Sequence, residues 1–207
     1  MRLMSGVVML GAAVLLVSCA TNAPEKSARA ASSLRDVESL LQDADRQFGK
    51  LGNTIKDLRA APVDDLRKAF DSFDGAATRT QGLAAKIRDE AEAMKEAGLS
   101  YFDRWEKDAA ALRDPRLKAL SAGRQSALRQ DFKRVLAAMD SFDKAYGPFE
   151  TSLRDLQAFL GNDLTRAGSE LGQPYLQAAQ AEGASVRSQL REALAAVRAI
   201  ADQLEPK

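Results

Sequence analysis

Residues 34–58 read LRDVESLLQDADRQFGKLGNTIKDL, and this stretch decides the fold. Its apolar residues follow one another at alternating steps of three and four without exception, at Leu34, Val37, Leu41, Ala44, Phe48, Leu51, Ile55 and Leu58. This is the heptad spacing of a helix that lays a narrow apolar stripe against another long helix. A strand would need alternation with a period of two, so the stretch predicts a long, packed helix.

Three later segments repeat this spacing, and we call the apolar stripe of each segment its seam. The second seam consists of Val63, Leu66, Phe70, Phe73, Ala77, Thr80, Ala84, Ile87, Ala91, Met94, Gly98, Tyr101, Trp105, Asp108 and Leu112. The third consists of Leu128, Phe132, Val135, Met139, Phe142, Tyr146, Phe149, Leu153, Leu156 and Leu160. The fourth consists of Leu176, Ala179, Gly183, Val186, Leu190, Ala193, Val197, Ile200 and Leu204.

Short connections separate the four segments. Pro62 and Pro115 end the first two helices, because proline lacks an N–H and disfavours the helical region for the residue before it. Short connections make successive helices antiparallel neighbours. The sequence therefore predicts an all-α fold, an elongated antiparallel helical bundle or coiled coil of about four long helices over residues 34–207. A continuous helix over 63–112 would be about 75 Å long.

Two further prolines fall inside helical segments. Pro148 predicts a kink without an end to the third helix, because the seam runs straight through it. The segment 165–175 is ambiguous, since three helix breakers fall within it, namely Gly168, Gly172 and Pro174.

The N-terminus has the features of a secretory signal peptide over residues 1–18. A basic start at Arg2 precedes an apolar core that is too short to span a bilayer. The residues Leu16-Val17-Ser18-Cys19 close this core and resemble the bacterial lipobox, in which the cysteine is acylated and becomes the new N-terminus. We therefore expect lipidation at Cys19. The alternative is an ordinary secretory signal with an incidental cysteine.

Residues 19–33 are expected to form the lipidated cysteine and a flexible tether, because they are rich in Ala, Ser, Thr and Asn and have no apolar period. Ala20 follows the cysteine. In the sorting rule that the lipobox resemblance implies, a residue other than Asp at this position favours the outer membrane of a Gram-negative cell. The expected location is the cell envelope, at the outer membrane and facing the periplasm.

The composition excludes most site chemistry. The chain contains no histidine and one cysteine, so we expect no internal disulfide, no zinc triad, no cofactor and no metal. Removal of Arg2 with the signal peptide leaves 29 basic residues against 29 acidic ones, which does not favour a nucleic-acid partner. Carboxylates cluster at Asp64-Asp65, Asp71 with Asp74, and Asp89-Glu90 with Glu92, mostly off the seam. Nothing there raises a pKa for acid–base work, so we expect neither an enzyme nor a small-molecule substrate.

One segment departs from the even charge balance. Residues 113–134 contain seven basic residues against Asp114 and Asp131, namely Arg113, Arg116, Lys118, Arg124, Arg129, Lys133 and Arg134. Residues 113–121 are expected to form an elbow in which Leu117 and Leu120 are available for packing. The basic residues are either a solvated helix face or a contact for anionic lipid, lipopolysaccharide or an acidic partner.

Tyr101 and Trp105 form a pair of aromatic residues on the second seam. Such a pair suits either a recognition platform that stacks on a sugar or core packing, and the seam position favours the core.

Several motifs resemble a family of bacterial secreted helical proteins known as domain of unknown function 2959. They are Phe102-Asp-Arg-Trp105-Glu106, Leu117 through Ser121, Leu128 through Ala137-Ala138-Met139, Pro148, Arg154-Asp155 and Phe159-Leu160. The similarity extends from Arg35 to Leu204, although Gly161-Asn162-Asp163 departs from the basic and polar turn of the family. The resemblance implies a helical fold and an envelope location, and it implies no activity.

Taken together, these patterns predict an anchored, periplasm-facing scaffold or adaptor for an envelope protein. The expected partners are the membrane, through the lipid anchor, and a protein or a second copy bound through the helices. The alternative is a module that binds anionic lipid or lipopolysaccharide through the basic residues of 113–134.

Overall fold

Four long helices make up the part of the chain that the computed structural model describes, residues 23–204, with side chains described from residue 28. They are α1 (Ala23–Ala60), α2 (Leu66–Ala110), α3 (Pro115–Asn162) and α4 (Arg166–Leu204), with a short 3-10 turn at Val63–Asp65 before α2. No strand occurs within 23–204. The predicted all-α fold is confirmed.

Each helix packs against the next one along the chain, and α4 returns to pack against α1. Arg35 near the start of α1 contacts Asp202 near the end of α4, with 2.6 Å between guanidinium and carboxylate. Arg59 at the end of α1 donates to Gln180 in the first half of α4 at 2.7 Å. These two contacts make α1 and α4 antiparallel, and the short connections do the same for the other neighbours. The result is an up-and-down four-helix bundle.

The bundle is elongated and its two ends differ. The 48 residues of α3 span about 72 Å at 1.5 Å per residue. We call the end that holds the α2–α3 connection the hairpin end. The end that holds the α1–α2 and α3–α4 connections is called the loop end.

The seams form the core. All eight predicted seam residues of α1 and all ten of α3 are buried, as are eight of the nine of α4. At the centre, Phe48 of α1 contacts Phe142, Tyr146 and Phe149 of α3, with ring centroids 6.1–6.3 Å apart. The heptad pattern thus predicted the buried faces of these three helices.

The seam of α2 shifts its register near the hairpin end. Phe102 is buried, whereas the predicted seam residues Tyr101 and Trp105 are only partly buried and Leu112 is exposed. Phe102 follows Leu66 by 36 residues, which is ten turns at about 3.6 residues per turn. A straight helix therefore returns residue 102 to the face of Leu66, while a strict heptad repeat would return residue 101.

The prediction of a flexible tether is wrong for residues 23–33, because α1 already begins at Ala23. Ala31 is buried against the core, so the last part of this segment also packs against the bundle. Four of these eleven residues are alanine, which has the highest helix propensity and compensates for the weak apolar period. Residues 19–22 and the signal peptide lie outside the described residues.

The predicted elbow at 113–121 is also wrong, because α3 begins at Pro115. The Asp114 carboxylate caps this helix by accepting from the backbone N–H groups of Arg116 and Leu117, and proline suits the first helical position. Leu117 and Leu120 do not pack, and 54% and 71% of their surfaces are exposed.

The ambiguous segment 165–175 is helical, since α4 starts at Arg166 and continues through Pro174. Its glycines allow close approach to the end of α3. A Cβ atom at Gly168 would lie 2.2 Å from the Asp163 carbonyl oxygen, and one at Gly172 would lie 3.2 Å from Leu160. The third helix likewise continues through Pro148, as predicted.

Ion pairs line the boundary between α1 and α4. The Asp45 carboxylate accepts from the guanidinium groups of both Arg187 and Arg191, at 2.8 and 2.7 Å. Hydrogen bonding to Arg187 is the main cause that lowers the pKa of Asp45 to about 2. At Glu38, burial opposes ionisation, but hydrogen bonds from Arg35 and Arg198 outweigh it and lower the pKa of the carboxyl.

Two glycines of α2 should respond in opposite ways to alanine. A Cβ at Gly98 would lie 2.2 Å from the ring of buried Phe132, whereas one at Gly82 would have nothing within 4 Å. Gly98→Ala should lower the free energy of unfolding by about 1–3 kcal/mol through overpacking. Gly82→Ala should raise it by up to about 1 kcal/mol through helix propensity. Urea denaturation measures both, and equal stabilities would contradict this account of the α2–α3 packing.

Asp45→Asn should destabilise the bundle in a pH-dependent way. The folded-state pKa of about 2 lies below the ordinary value of 3.8, so the ionised carboxylate contributes stability above pH 3.8 and loses it as the pH falls towards 2. Because the arginines are partly exposed, the expected loss at pH 7 is only about 1 kcal/mol. Denaturation of both proteins between pH 7 and 2 should show the difference vanish, and a constant difference would contradict the assignment.

Candidate functional site

The α2–α3 connection and the helical turns beside it form a projecting hairpin, which we call the hairpin tip and define as residues 101–121. Every residue from 110 to 120 is exposed. Leu204, the last residue of α4, lines one small cavity together with Phe102 and Leu128. The described part of α4 therefore ends at the base of the tip, and residues 110–120 project beyond it.

The tip is held together by contacts between α2 and α3. The Trp105 indole N–H donates to the Ser121 hydroxyl at 2.9 Å. One turn further into the bundle, the Gln125 side chain donates to the Phe102 carbonyl oxygen at 3.0 Å. These contacts keep the tip a rigid helical hairpin rather than a loose loop.

Three leucines at the end of the tip are exposed although they are large and apolar. They are Leu112, Leu117 and Leu120, with exposed fractions of 36%, 54% and 71%. Isolated exposed apolar residues are ordinary, but several together at one end of a molecule indicate an interaction surface. The sequence placed Leu112 on a seam and the other two in a packed elbow, so this surface was not predicted.

The structure divides the seven predicted basic residues into two groups. Four lie further into the bundle, in the body of α3. Of these, Arg124 bonds Gln203 of α4 at 3.1 Å, Arg129 lies over the Phe102 ring at 5.0 Å from its centroid, and Arg134 pairs with Asp131 at 2.8 Å. Arg124 and Arg129 are therefore engaged in contacts between helices and Arg134 is paired within α3, whereas Lys133 has no ion pair with any residue whose side chain is described.

The other three basic residues, Arg113, Arg116 and Lys118, lie at the end of the tip among the leucines. Within residues 28–204, none of their side chains forms an ion pair or a hydrogen bond. The nearby Asp114 carboxylate is occupied in capping α3. The tip therefore presents three unpaired cations beside three exposed leucines.

The N-terminus of α1 lies at the same end of the bundle. Ala30 and Leu34 of α1 line the cavity that also contains Tyr101 and Phe102 of α2. The helix extends seven residues back from Ala30 to Ala23, or about 10 Å towards the tip. The chain thus enters the bundle beside the hairpin tip.

Tyr101 and Trp105 are neither fully in the core nor free on the surface. They meet edge to face with centroids 5.7 Å apart and line an open cavity of about 270 Å³ with Arg104, Leu112 and Ser121. Burial raises the pKa of the Tyr101 hydroxyl. Neither of the two predicted roles, core packing or a recognition platform, describes these residues alone. The two rings support the tip and also border its surface.

A second exposed apolar surface lies at the loop end, between α3 and α4. Phe159 and Tyr175 border an open groove of about 380 Å³ there, together with Asp155 and Glu182. Leu171 is exposed one turn before Tyr175. The sequence analysis missed this groove, although large apolar residues that fall outside the seam were a usable signal.

The carboxylate clusters form no catalytic arrangement. Six of their seven members are exposed, and the seventh, Asp74, accepts a hydrogen bond from Gln157 at 2.7 Å. Within the described part of the chain, no three cysteine, aspartate or glutamate side chains come together to hold a metal ion. Within 23–204, no helix is long and apolar enough to cross a bilayer. Cys19 lies outside the described residues.

Comparison with known proteins gives one match. A family model described as "Protein of unknown function (DUF2959)" covers residues 25–204, which includes all but the first two residues of the four-helix bundle. No curated protein and no solved structure matches the chain. On the extent of the family match, the chain belongs to the DUF2959 family.

Proposed function

We propose that this chain is a lipid-anchored helical protein of the cell envelope that acts as a scaffold or adaptor for an envelope protein. In a Gram-negative cell it is held at the outer membrane through acylated Cys19, with the bundle in the periplasm. The observation that carries the proposal is the lipobox at 16–19, which precedes the rigid bundle by only three residues.

The geometry gives this anchor a mechanical consequence. Only residues 20–22 separate the acylated cysteine from the described start of α1 at Ala23, so we expect the hairpin end to lie next to the bilayer. The 38 residues of α1 span about 57 Å, so the loop end lies roughly that far from the membrane surface. Such a rod suits a protein that presents a docking surface at a fixed height, which supports a scaffold or adaptor role.

A second candidate function is contact with anionic lipid or lipopolysaccharide through the hairpin tip. It is favoured by the position of the three unpaired cations and three exposed leucines beside the N-terminus of α1. Cations attract an anionic surface, and apolar side chains enter the boundary between headgroups and acyl chains. One acyl chain alone anchors only marginally, so a second attachment would strengthen membrane binding.

Cys19→Ala should abolish acylation and release the protein from membranes after a high-salt wash, while the bundle stays folded. Incorporation of labelled palmitate, membrane fractionation and circular dichroism measure these three properties. Thr21→Ala, which spares the thiol, is the matched control and should remain acylated and membrane-bound. The anchor proposal fails if the unsubstituted protein takes up no acyl label.

The tip is tested with the Cys19→Ala protein, so that binding does not depend on an acyl chain. Vesicles of phosphatidylglycerol and phosphatidylcholine should bind it and shift the fluorescence of Trp105, the single tryptophan, to shorter wavelength. Neutralising three cations with Arg113→Gln, Arg116→Gln and Lys118→Gln should weaken binding about 100-fold, at about 1 kcal/mol for each cation.

The matched control for the tip neutralises three exposed cations in the half of α2 nearer the loop end, with Arg67→Gln, Lys68→Gln and Arg79→Gln. This variant has the same net charge as the tip variant and should bind the vesicles almost as well as the parent. Equal weakening by both variants, or binding that does not depend on salt, would exclude the tip as the lipid contact.

A further inference from the structure

The groove at the loop end combines two kinds of side chain. Ser152 and Glu182 lie at one end of it, and Phe159 and Tyr175 lie at the other. Ser152 and Phe159 are seven residues apart on α3, which corresponds to about 10 Å. Asp155 lies between them on the same helix, so the groove passes from acidic to aromatic along its length.

The acidic part has an unsatisfied acceptor. The Glu182 Oε2 atom is buried and accepts no hydrogen bond from any described residue. The Asp155 carboxylate is exposed and forms no ion pair within the described side chains. Burial of a carboxylate oxygen without a hydrogen-bond donor is energetically unfavourable, because the oxygen loses its hydration and gains no bond in exchange. A cationic donor from a ligand would restore that hydrogen bond.

The aromatic part is unusually exposed for side chains of this size. The exposed fraction is 40% for Phe159 and 67% for Tyr175, and Leu171 beside them is 66% exposed. Aromatic faces attract guanidinium and ammonium groups as well as apolar side chains. Both parts of the groove therefore suit a ligand that carries a positive charge and an apolar group.

We propose that this groove binds a polypeptide segment of a partner protein that presents an arginine or lysine about 10 Å from a large apolar side chain. The cation contacts Glu182 and Asp155, and the apolar side chain lies against Phe159 and Tyr175. A small amine would use only one of the two parts. A peptide segment uses both, because three residues of polyproline II helix make one full turn and span about 9 Å, so side chains three positions apart point to the same side.

This inference rests on the adaptor role proposed above and names the chemistry of its partner, but it does not depend on the lipid anchor. The groove is at the loop end, far from the start of α1 and from the hairpin tip. Loss of acylation therefore leaves the groove intact, and a failure of peptide binding leaves the anchor untouched. The two proposals can fail separately.

The test uses the full chain, labelled with ¹⁵N in a neutral detergent, and three synthetic peptides. The probe GSLSSRSG carries leucine and arginine three residues apart, GSLSSESG reverses the charge, and GSSSSRSG lacks the apolar group. Amide chemical shifts detect millimolar binding and locate it. The probe should shift signals around Asp155, Phe159, Tyr175 and Glu182, and each control peptide should bind about tenfold more weakly.

Two variants test the two parts of the groove. Glu182→Gln combined with Asp155→Asn should weaken binding of the probe about tenfold and remove its salt dependence. Tyr175→Ala changes an exposed side chain and leaves the fold intact, and it should also weaken binding of the probe. Asp71→Asn, an exposed carboxylate on α2, is the matched control and should bind the probe normally.

Three results would overturn the proposal. One is the absence of localised chemical-shift changes with the probe GSLSSRSG at 10 mM. Another is binding of the charge-reversed peptide GSLSSESG as strong as that of the probe. The third concerns a second copy of the chain as the occupant. If sedimentation shows a dimer without peptide and Tyr175→Ala abolishes it, the groove serves self-association instead of a partner segment.

Discussion

The contact of Phe48 with three aromatic rings of α3 is the interaction on which the rest of the bundle depends. Helices α1 and α3 lie opposite each other across the core, so these rings fill the centre and fix the distance at which α2 and α4 pack on either side. Small residues on α4 complement them, since a Cβ at Gly183 would lie 3.0 Å from the Phe149 ring. The centre also carries a cost, because the Tyr146 hydroxyl is buried without a hydrogen-bond partner among the described residues. Burial raises the pKa of that hydroxyl, so it stays neutral.

Most of this architecture could be predicted from the sequence because it is dictated by periodicity. Every predicted seam residue of α1 and α3 is buried, since a narrow apolar stripe on a long helix has only one face to bury, and in α1 only Ala31, Glu38 and Gln47 are buried besides, among the residues whose side chains are described. The heptad pattern did not predict the buried face near Phe102, because a straight helix with 3.6 residues per turn gradually departs from a repeat of 3.5. The spacing of residues does not show how strongly a given helix supercoils. Periodicity also failed where glycine and proline lie within a helix. At Gly168 the reason for glycine is the nearness of Asp163 in the α3–α4 connection, and at Gly172 it is the nearness of Leu160 in α3, and both contacts arise only once the chain has folded.

The candidate sites were less predictable, because they depend on which side chains the fold has already used. The sequence found all seven cations of the basic segment but could not separate the free ones from those that bond residues far along the chain. Arg124, for example, meets Gln203 across 79 residues. The exposed leucines of the tip and the aromatic residues of the groove share one property, which is that they lie off a seam or beyond the end of the packed core. Their exposure is decided by where α4 ends and by which helix covers which face.

A bundle that buries most of its seam residues leaves few large apolar side chains exposed, and here most of them gather at opposite ends. Six of the eight large exposed hydrophobic residues belong to the hairpin tip or to the neighbourhood of the groove, namely Leu112, Leu117, Leu120, Phe159, Leu171 and Tyr175. A rigid rod keeps these two surfaces apart, so one compact ligand cannot occupy both. The distance between them is a property of helix length. Because the seam repeats every seven residues, a matched insertion of seven residues in each helix would preserve the core and lengthen the rod by about 10 Å. Helix length can therefore change the reach of such a protein without altering either surface, which is a physical advantage of placing the two proposed binding surfaces at opposite ends of a rod.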